Sequence, residues 1–146
     1  MAQALAGADL PAHRLCLEVT ETMLLGEADV AREVLGDLHA LGLTIAIDDF
    51  GTGYSSLAHL RRMPLDGIKI DLSFVQGLGE DREDEKIVAA VVHLAADLGL
   101  TAIAEGVETP QQRDHLRRLG CPVAQGYLFG RPMPAGVFAA WLRHRV

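Results

Sequence analysis

The sequence predicts an α/β fold built on a mostly parallel sheet. Short apolar runs typical of buried strands alternate along the chain with longer stretches of helical period. Because parallel neighbours need a crossover connection, a helix between successive strands favours a parallel sheet. Five such units fit either a doubly wound sheet or part of an eight-stranded barrel, and both architectures place ligands at the carboxyl ends of the strands.

The chain is long and apolar enough to bury one core. Of its 146 residues, 49% are hydrophobic and 23% are charged, which is typical of a globular domain. The longest apolar stretch, residues 87–104, contains His93, Asp97 and Gly99, so we expect a helix and a strand there and no membrane segment. The first residues lack the basic and apolar succession of a signal peptide, which favours a cytoplasmic protein.

Charge and cysteine content exclude other kinds of site. Lys and Arg total 13 against 20 Asp and Glu, which gives a formal net charge of −7. A surface of this charge does not grip nucleic acid through its phosphates, so we expect no DNA or RNA partner, and an anionic ligand would need local cations. The two cysteines, Cys16 and Cys121, are too few for a disulfide framework or a zinc site of standard spacing.

Five apolar runs predict the strands. They cover residues 15–19, 43–47, 67–70, 100–104 and 122–128.

The first two helices lie between the first three strands. Helical spacing predicts a helix over residues 27–41, with Gly42 as a left-handed residue that ends it. The apolar face of this helix comprises Val30, Val34, Leu38 and Leu41. A short second helix opens near Ser55 and Ser56, which are good N-caps, and ends before Pro64 because proline cannot continue the hydrogen-bond ladder.

Three more helices follow. We interpret the charged segment 80–86 as a solvated loop, after which a helix begins at Ile87 and ends at Gly99. Residues 109–112 form a capping box with proline at the first helical position, and that helix ends at Gly120. The last helix covers residues 134–145, and its predicted inner, core-facing residues are Val137, Phe138, Trp141 and Leu142.

Polar residues stand where each apolar strand run ends. Because the carboxyl ends of parallel strands meet at one edge of a sheet, we expect these side chains to converge. They are Glu18, Glu21, Asp48, Asp49, Lys69, Asp71, Glu105, Glu108 and Gln125. A structural charge network is the alternative interpretation.

Carboxylates that converge in this way favour a divalent cation. Oxygen ligands from Asp and Glu indicate Mg²⁺ or Mn²⁺ rather than zinc, since neither histidine nor cysteine stands at these strand ends. The adjacent Asp48 and Asp49 could flank two ions about 3.5 to 4 Å apart, an arrangement that stabilises both oxygens of a phosphoryl displacement. Lys69 could orient a water or meet a phosphate, and its alternative is an internal salt bridge.

The glycine-containing loop 49–56 leads into a helix N-terminus. Its backbone amides could hold a phosphate, although the spacing matches neither the P-loop nor the dinucleotide fingerprint. A plain turn with N-cap serines fits the same residues.

The residues at the strand ends resemble the motifs of the EAL-type cyclic di-GMP phosphodiesterases, in order and in spacing. The matching segments are residues 18–21, 48–57, 69–71, 104–109 and 125–127. The resemblance implies a (β/α)₈ barrel that uses Mg²⁺ or Mn²⁺, with two ions expected, to hydrolyse one phosphodiester of cyclic di-GMP to linear pGpG in bacterial second-messenger signalling.

The resemblance also implies a role for each matching residue. Glu18 and Asp48 resemble metal ligands, and Asp49 resembles the aspartate that holds the second metal. Lys69 resembles the lysine that contacts the nucleophilic water, Glu105 a metal-linked or general-base glutamate, and Gln125 the glutamine that closes the site.

Further matching residues are implied to support the substrate or a loop. Asp71 resembles an aspartate beside the substrate. The loop 50–56, which includes Gly51, Thr52, Gly53 and Ser55, resembles a segment that couples metal binding to dimerisation, so a homodimer through this loop is expected. Glu21 and Glu108 resemble its anchoring acids.

Two family motifs have no counterpart in this sequence. The Glu-Ala-Leu motif is missing, since Gln3-Ala4-Leu5 lacks the carboxylate, and so is the motif that supplies an asparagine ligand. We therefore expect residues 1–146 to be the C-terminal portion of an EAL domain, a partial (β/α)₈ TIM-like barrel with about the last five β/α units.

Two other functions remain open at this point. A degenerate, non-catalytic module would bind cyclic di-GMP or a protein partner without cleavage. A receiver-like signalling domain also places acids and a lysine at strand ends, but its acidic pair should stand on the first strand, whereas Asp48 and Asp49 follow the second.

Overall fold

A single parallel sheet organises the computed structural model, which describes residues 1–21, 23, 28–51 and 57–144. Its strands are β1 (Cys16–Thr20), β2 (Thr44–Phe50), β3 (Gly67–Ile70), β4 (Thr101–Ala104) and β5 (Val123–Ala124). All neighbouring strands are parallel, and their order in the sheet is β1-β2-β3-β4-β5. A doubly wound sheet reverses its strand order, so the sequential order selects the predicted partial barrel.

Helices connect these strands. In chain order they are α1 (Ala2–Gly7), α2 (Ala28–Ala40), α3 (Leu57–Leu60), α4 (Leu72–Gln76), α5 (Arg82–Asp97), α6 (Pro110–Arg118) and α7 (Ala135–Arg143), and a 3₁₀ turn covers Ala12–Arg14. The sequence did not predict α1, the 3₁₀ turn or α4. No helix of the described ranges is long and apolar enough to cross a membrane.

The core lies around the central strands. All four residues of β3 are buried, and Ile45, Ile47 and Ile68 are fully enclosed. Helix α5 covers this part of the sheet with Val88 and other buried residues of one face. A strand buried on both sides has few polar residues, so a buried lysine in β3 requires a specific set of partners.

Several predicted boundaries are confirmed. Gly42 has a φ of +89°, as expected for a left-handed residue that ends α2. The capping box of α6 is present, since the Thr109 hydroxyl accepts from the Gln112 backbone and the Gln112 side chain accepts from the Thr109 backbone. Helix α3 ends before Pro64 as predicted, whereas Ser55 and Ser56 lie outside the described residues.

The interpretation of residues 80–86 as a loop is wrong. Helix α5 already begins at Arg82, and the Asp81 side chain caps it by accepting from the Glu83 backbone at 2.7 Å. Acidic residues in a first helical turn interact favourably with the helix dipole, so this charge run begins the helix.

The predicted fifth strand is too long. Residues 122–128 were assigned to it, but β5 comprises two residues, Val123 and Ala124. The chain turns immediately afterwards, since the backbone amides of Phe129 and Gly130 both donate to the Gly126 carbonyl. This turn removes the segment from the sheet.

The apolar faces predicted for α2 and α7 are largely exposed, which corrects the assignment of the α7 residues to the core. On α2, Val30 and Val34 are about half exposed, and on α7 the same holds for Val137 and Phe138. These helices follow β1 and β5, the two outer strands, and no further strand of the described residues lies beyond these two.

Candidate active site

Lys69 lies at the centre of the carboxyl ends of the strands. Its ammonium nitrogen is 2.6 Å from Glu18 Oε2, 2.9 Å from Asp48 Oδ1 and 2.8 Å from Glu105 Oε1. The three carboxylates come from β1, from β2 and from the residue directly after β4. We call these four residues the Lys69 cluster. The sequence predicted this convergence, and the structure forms it.

Three charged hydrogen bonds compensate for the burial of Lys69. Its side chain is 5% exposed, and burial alone would lower the pKa of the ammonium. Hydrogen bonds to Glu105, Glu18 and Asp48 outweigh burial and hold the pKa above the ordinary lysine value. Lys69 is therefore a permanent cation at neutral pH.

Asp48 and Asp49 reach the same site through an irregularity at the end of β2. The pairing register with β3 shifts between Ile47 and Phe50, and Asp49 has a φ of +55°. The Asp49 backbone amide donates to Asp48 Oδ1 at 3.1 Å. Regular strand residues alternate between faces, so this bend allows neighbouring carboxylates to share one end of the sheet.

The carboxylates around Lys69 fit a divalent cation. Asp48, Asp49 and Glu105 each offer an oxygen atom within 4.8 Å of the others. The negative charge of Asp48 is the main cause that raises the pKa of Asp49, followed by desolvation and by the charge of Asp71. An oxygen-only donor set with excess negative charge is the kind that Mg²⁺ and Mn²⁺ prefer.

Gln125 closes one side of the cluster. Its side-chain amide donates to Glu105 Oε1, the same oxygen that contacts Lys69. The backbone holds this position, since Gln125 N donates to the Ala104 carbonyl at 2.8 Å and its carbonyl accepts from Val107 at 3.0 Å. Gly126 comes so close to Val107 that a Cβ would lie 2.3 Å from backbone atoms, so this position requires glycine.

A cleft of about 750 Å³ extends from Glu105 and Gln125 towards α7. Beyond these two residues its lining is largely apolar and aromatic. The aromatic lining consists of Tyr127, Phe129, Phe138 and Trp141. This cleft is not evident from the sequence, because the helical spacing of Phe138 and Trp141 predicts that they face the core. Two features of the sequence could have indicated the cleft: the segment 125–127 (Gln-Gly-Tyr) and the aromatic pair Phe138 and Trp141, three residues apart.

The remaining predicted residues lie around the cluster with different contacts. Asp71 caps α4 by accepting from the backbone and the hydroxyl of Ser73. Glu21 is buried, at 4% exposed, and Glu108 lines the cleft. Gly51, with a φ of +101°, packs against the Phe74 ring. Thr52, Gly53 and Ser55 lie outside the described residues.

Comparison with known proteins identifies relatives of this architecture. Residues 1–132 match the EAL domain family. MucR of Pseudomonas aeruginosa, named as a bifunctional diguanylate cyclase/cyclic di-GMP phosphodiesterase, is 51% identical over 125 residues, which cover 86% of this chain and 18% of MucR. The chain therefore spans less than a fifth of this curated relative.

Solved structures agree with the sequence comparison. The phosphodiesterase of MucR in complex with cyclic di-GMP superposes with a TM-score of 0.89 at 47% identity, covering 94% of this chain and 56% of that one. The EAL domain of Mycobacterium smegmatis DcpA gives a TM-score of 0.91 at 42% identity, covering 98% and 64%.

A third solved relative contains a metal ion. The manganese and cyclic di-GMP complex of Klebsiella pneumoniae BlrP1 gives a TM-score of 0.82 at 42% identity, covering 89% of this chain and 33% of that one. With the family match over residues 1–132 and the shared architecture, the chain belongs to the EAL domain family.

Proposed function

We propose that this chain takes part in the metal-dependent hydrolysis of cyclic di-GMP to linear pGpG in bacterial second-messenger signalling. The observation that carries this proposal is the Lys69 cluster, in which one buried cation holds three carboxylates at the carboxyl ends of parallel strands. Relatives named as cyclic di-GMP phosphodiesterases and their complexes with this dinucleotide support the choice of substrate.

A divalent cation would be held by Asp48, Asp49 and Glu105, with Glu18 beside them. When bound, Mg²⁺ or Mn²⁺ would lower the pKa of a coordinated water and offset the negative charge that develops on the phosphoryl oxygens. The adjacent Asp48 and Asp49 support the proposal that two ions bind. The manganese complex of BlrP1 supports the proposal that the metal is a divalent cation such as Mn²⁺.

The protein's own groups would orient the reaction. In hydrolysis a water oxygen forms a bond to phosphorus while the bond from phosphorus to one ribose oxygen breaks, so the water loses a proton and the departing ribose oxygen gains one. Lys69, a permanent cation with its three donors on Glu18, Asp48 and Glu105, would exchange one of these hydrogen bonds for one to the water or to a phosphoryl oxygen. Glu105 would accept the proton, and Gln125 would hold Glu105 in place through its side-chain amide. Asp71 and Glu108 would line the approach of the substrate.

The chain is proposed to be the C-terminal portion of an EAL domain over residues 1–146. Support comes from its coverage of 56% and 64% of two solved EAL structures and from the exposed apolar faces beside both outer strands. We also propose that the protein forms a homodimer through the loop after Asp49 and that it is located in the cytoplasm.

A second candidate function is binding of cyclic di-GMP without cleavage. The absence of a Glu-Ala-Leu sequence from the chain favours this candidate, since the family resemblance assigns a metal ligand to that glutamate.

The deciding experiment incubates the 146-residue chain with cyclic di-GMP and Mn²⁺ or Mg²⁺, followed by chromatography for pGpG and calorimetry for binding. We expect pGpG from the wild type, none with EDTA, and none from Asp48→Asn, whereas the exposed-surface control Asp29→Asn should remain active. Binding without pGpG would select the non-catalytic module. Neither binding nor product would reject both candidates.

A further inference from the structure

The Lys69 cluster holds a cation of its own where the proposed metal would bind. Asp48 and Glu105 belong to the three carboxylates that offer oxygens within 4.8 Å of one another, and both also contact the Lys69 ammonium, at 2.9 and 2.8 Å. The lysine and a divalent cation therefore use the same two side chains. The chain has only two lysines, and the other one, Lys86, is an exposed residue of α5.

All three N–H groups of the Lys69 ammonium are used within the cluster. An ammonium carries three donors, and Glu18, Asp48 and Glu105 each accept one of them. The lysine side chain is buried, so these hydrogen bonds have little competition from solvent. A water or a phosphoryl oxygen can therefore receive a hydrogen bond from Lys69 only after Lys69 has released one of the carboxylates.

The strand that carries Lys69 is held firmly in the sheet. Its neighbours Ile68 and Ile70 are fully buried, and Lys69 itself pairs with Ile103 of β4 in the parallel register. Close packing of this kind resists displacement of the backbone. The lysine stem, in contrast, is a flexible chain of four carbons. Any adjustment of Lys69 to a second cation therefore comes from rotation of its side chain.

The charge balance of the cluster makes the two cations competitors without excluding the metal. One positive charge faces three negative charges, so an excess of two negative charges remains to attract Mg²⁺ or Mn²⁺. Because both cations use the same carboxylates, they lie close together, and like charges at short range repel each other strongly in a partly buried site. The release of Lys69 from one carboxylate relieves this repulsion.

We propose that Lys69 is a resident cation of the metal site, which competes with the divalent cation for Asp48 and Glu105 and is released from one of these carboxylates when the metal binds. The N–H group released in this way becomes available to the attacking water or to a phosphoryl oxygen. Metal binding therefore prepares Lys69 for its part in hydrolysis. This inference rests on the proposed function, because it takes the metal site as given, and it adds a competition that sets the metal affinity.

The first test titrates Mn²⁺ into the EDTA-treated 146-residue chain by calorimetry at pH 7, without cyclic di-GMP. Lys69→Met removes the competing charge, so we expect it to bind Mn²⁺ about tenfold more tightly than the wild type. The matched control Lys86→Met should bind Mn²⁺ like the wild type, because this lysine is exposed on α5. Circular dichroism at the titration temperature checks that each variant is folded. Equal or weaker binding by Lys69→Met would overturn the competition.

The second test follows the Lys69 ammonium in the wild type, so it does not depend on the folding of a variant at Lys69. With two lysines in the chain, ¹H–¹⁵N spectra of the ¹⁵N-lysine-labelled protein contain two lysine ammonium groups, and Lys86→Met identifies which signal belongs to Lys69. Saturation with Mg²⁺, which is diamagnetic, should speed the exchange of the Lys69 ammonium protons with water, because one N–H group loses its carboxylate.

The outcomes separate this inference from the proposed function. If neither the wild type nor Lys69→Met binds Mn²⁺ or Mg²⁺, the proposed metal site fails and the inference fails with it. If the wild type binds the metal but the exchange of the Lys69 protons stays as slow as in EDTA, the release of Lys69 is overturned and the metal site stands.

Discussion

The Lys69 cluster and the aromatic cleft share Glu105 but are built differently. The cluster stands at the ends of strands, around a lysine that is 5% exposed, with ion-pair distances of 2.6 to 2.9 Å. The cleft is formed by a turn and by α7, and its aromatic side chains are far more exposed. The sheet thus fixes the charged groups, whereas a turn and a helix outside the sheet form the apolar surface beside them. Substitutions in the two regions should therefore affect different measurements.

The largest expected effect is on folding and comes from Lys69→Met. This substitution leaves three carboxylates together without their cation, and breaking a buried ion pair in this way costs about 3 to 5 kcal/mol. Urea denaturation should show that loss in the free energy of unfolding. The control Lys86→Met, at an exposed position of α5, should unfold like the wild type, and equal stability of both variants would mean that the cluster is not a structural unit.

Glu105→Gln should separate turnover from binding. The amide cannot take a proton from water, so we expect kcat for cyclic di-GMP hydrolysis to fall by about 10²-fold or more while the Kd changes little. Steady-state kinetics and calorimetry measure the two quantities. A variant with unchanged kcat would remove Glu105 from the proposed proton transfer.

Trp141→Ala should give the opposite result. Loss of a stacking surface should raise the Kd for cyclic di-GMP by about tenfold, since base stacking is worth ~1 to 3 kcal/mol, with kcat at saturation nearly unchanged. Leu142→Ala, at an exposed position of the same helix, is the matched control. Equal binding by both variants would separate the cleft from ligand recognition.

The smallest expected effect concerns pH and Asp49. Because its pKa is raised in the fold, chiefly by the charge of Asp48, the stability that Asp49 contributes is present below its unfolded pKa and is lost as the pH rises through the folded value. Asp49→Asn should therefore unfold at a slightly higher temperature than the wild type at pH 7, and this difference should disappear near the unfolded pKa of 3.8.

A metal titration completes that prediction. Mn²⁺ should raise the melting temperature of the wild type more than that of Asp49→Asn, because the amide is a weaker ligand for a hard cation. Thermal melts at pH 7 with and without EDTA measure both effects. An Asp49→Asn protein that is less stable than the wild type without metal would contradict the like-charge repulsion.

Much of the Lys69 cluster could be predicted from the sequence because parallel strands align their carboxyl ends. Glu18 and Lys69 are the last residue but one of their apolar runs, and Asp48 and Glu105 directly follow theirs, so the register of a parallel sheet brings these residues together. The contact of Lys69 with all three acids requires side-chain geometry that residue spacing does not give.

The cleft and the ends of the sheet were harder to predict for a different reason. Helical spacing shows that Phe138 and Trp141 share a face of α7, but it does not show whether another element covers that face. Likewise, the acidic run after Asp81 fits a loop by composition, and its role as a helix start depends on the Asp81 cap and on the helix dipole.

Glu105 belongs to both the Lys69 cluster and the aromatic cleft, and its oxygen Oε1 already has two hydrogen-bond donors. Glu105 Oε1 accepts from both Lys69 and Gln125, which uses both lone-pair directions of that atom. A ligand that bonds to this oxygen must displace one of the two donors, whereas a ligand on the other oxygen of Glu105 leaves both in place. A ligand on Oε1 therefore competes with Lys69 and Gln125 for that atom, whereas a ligand on the other oxygen does not.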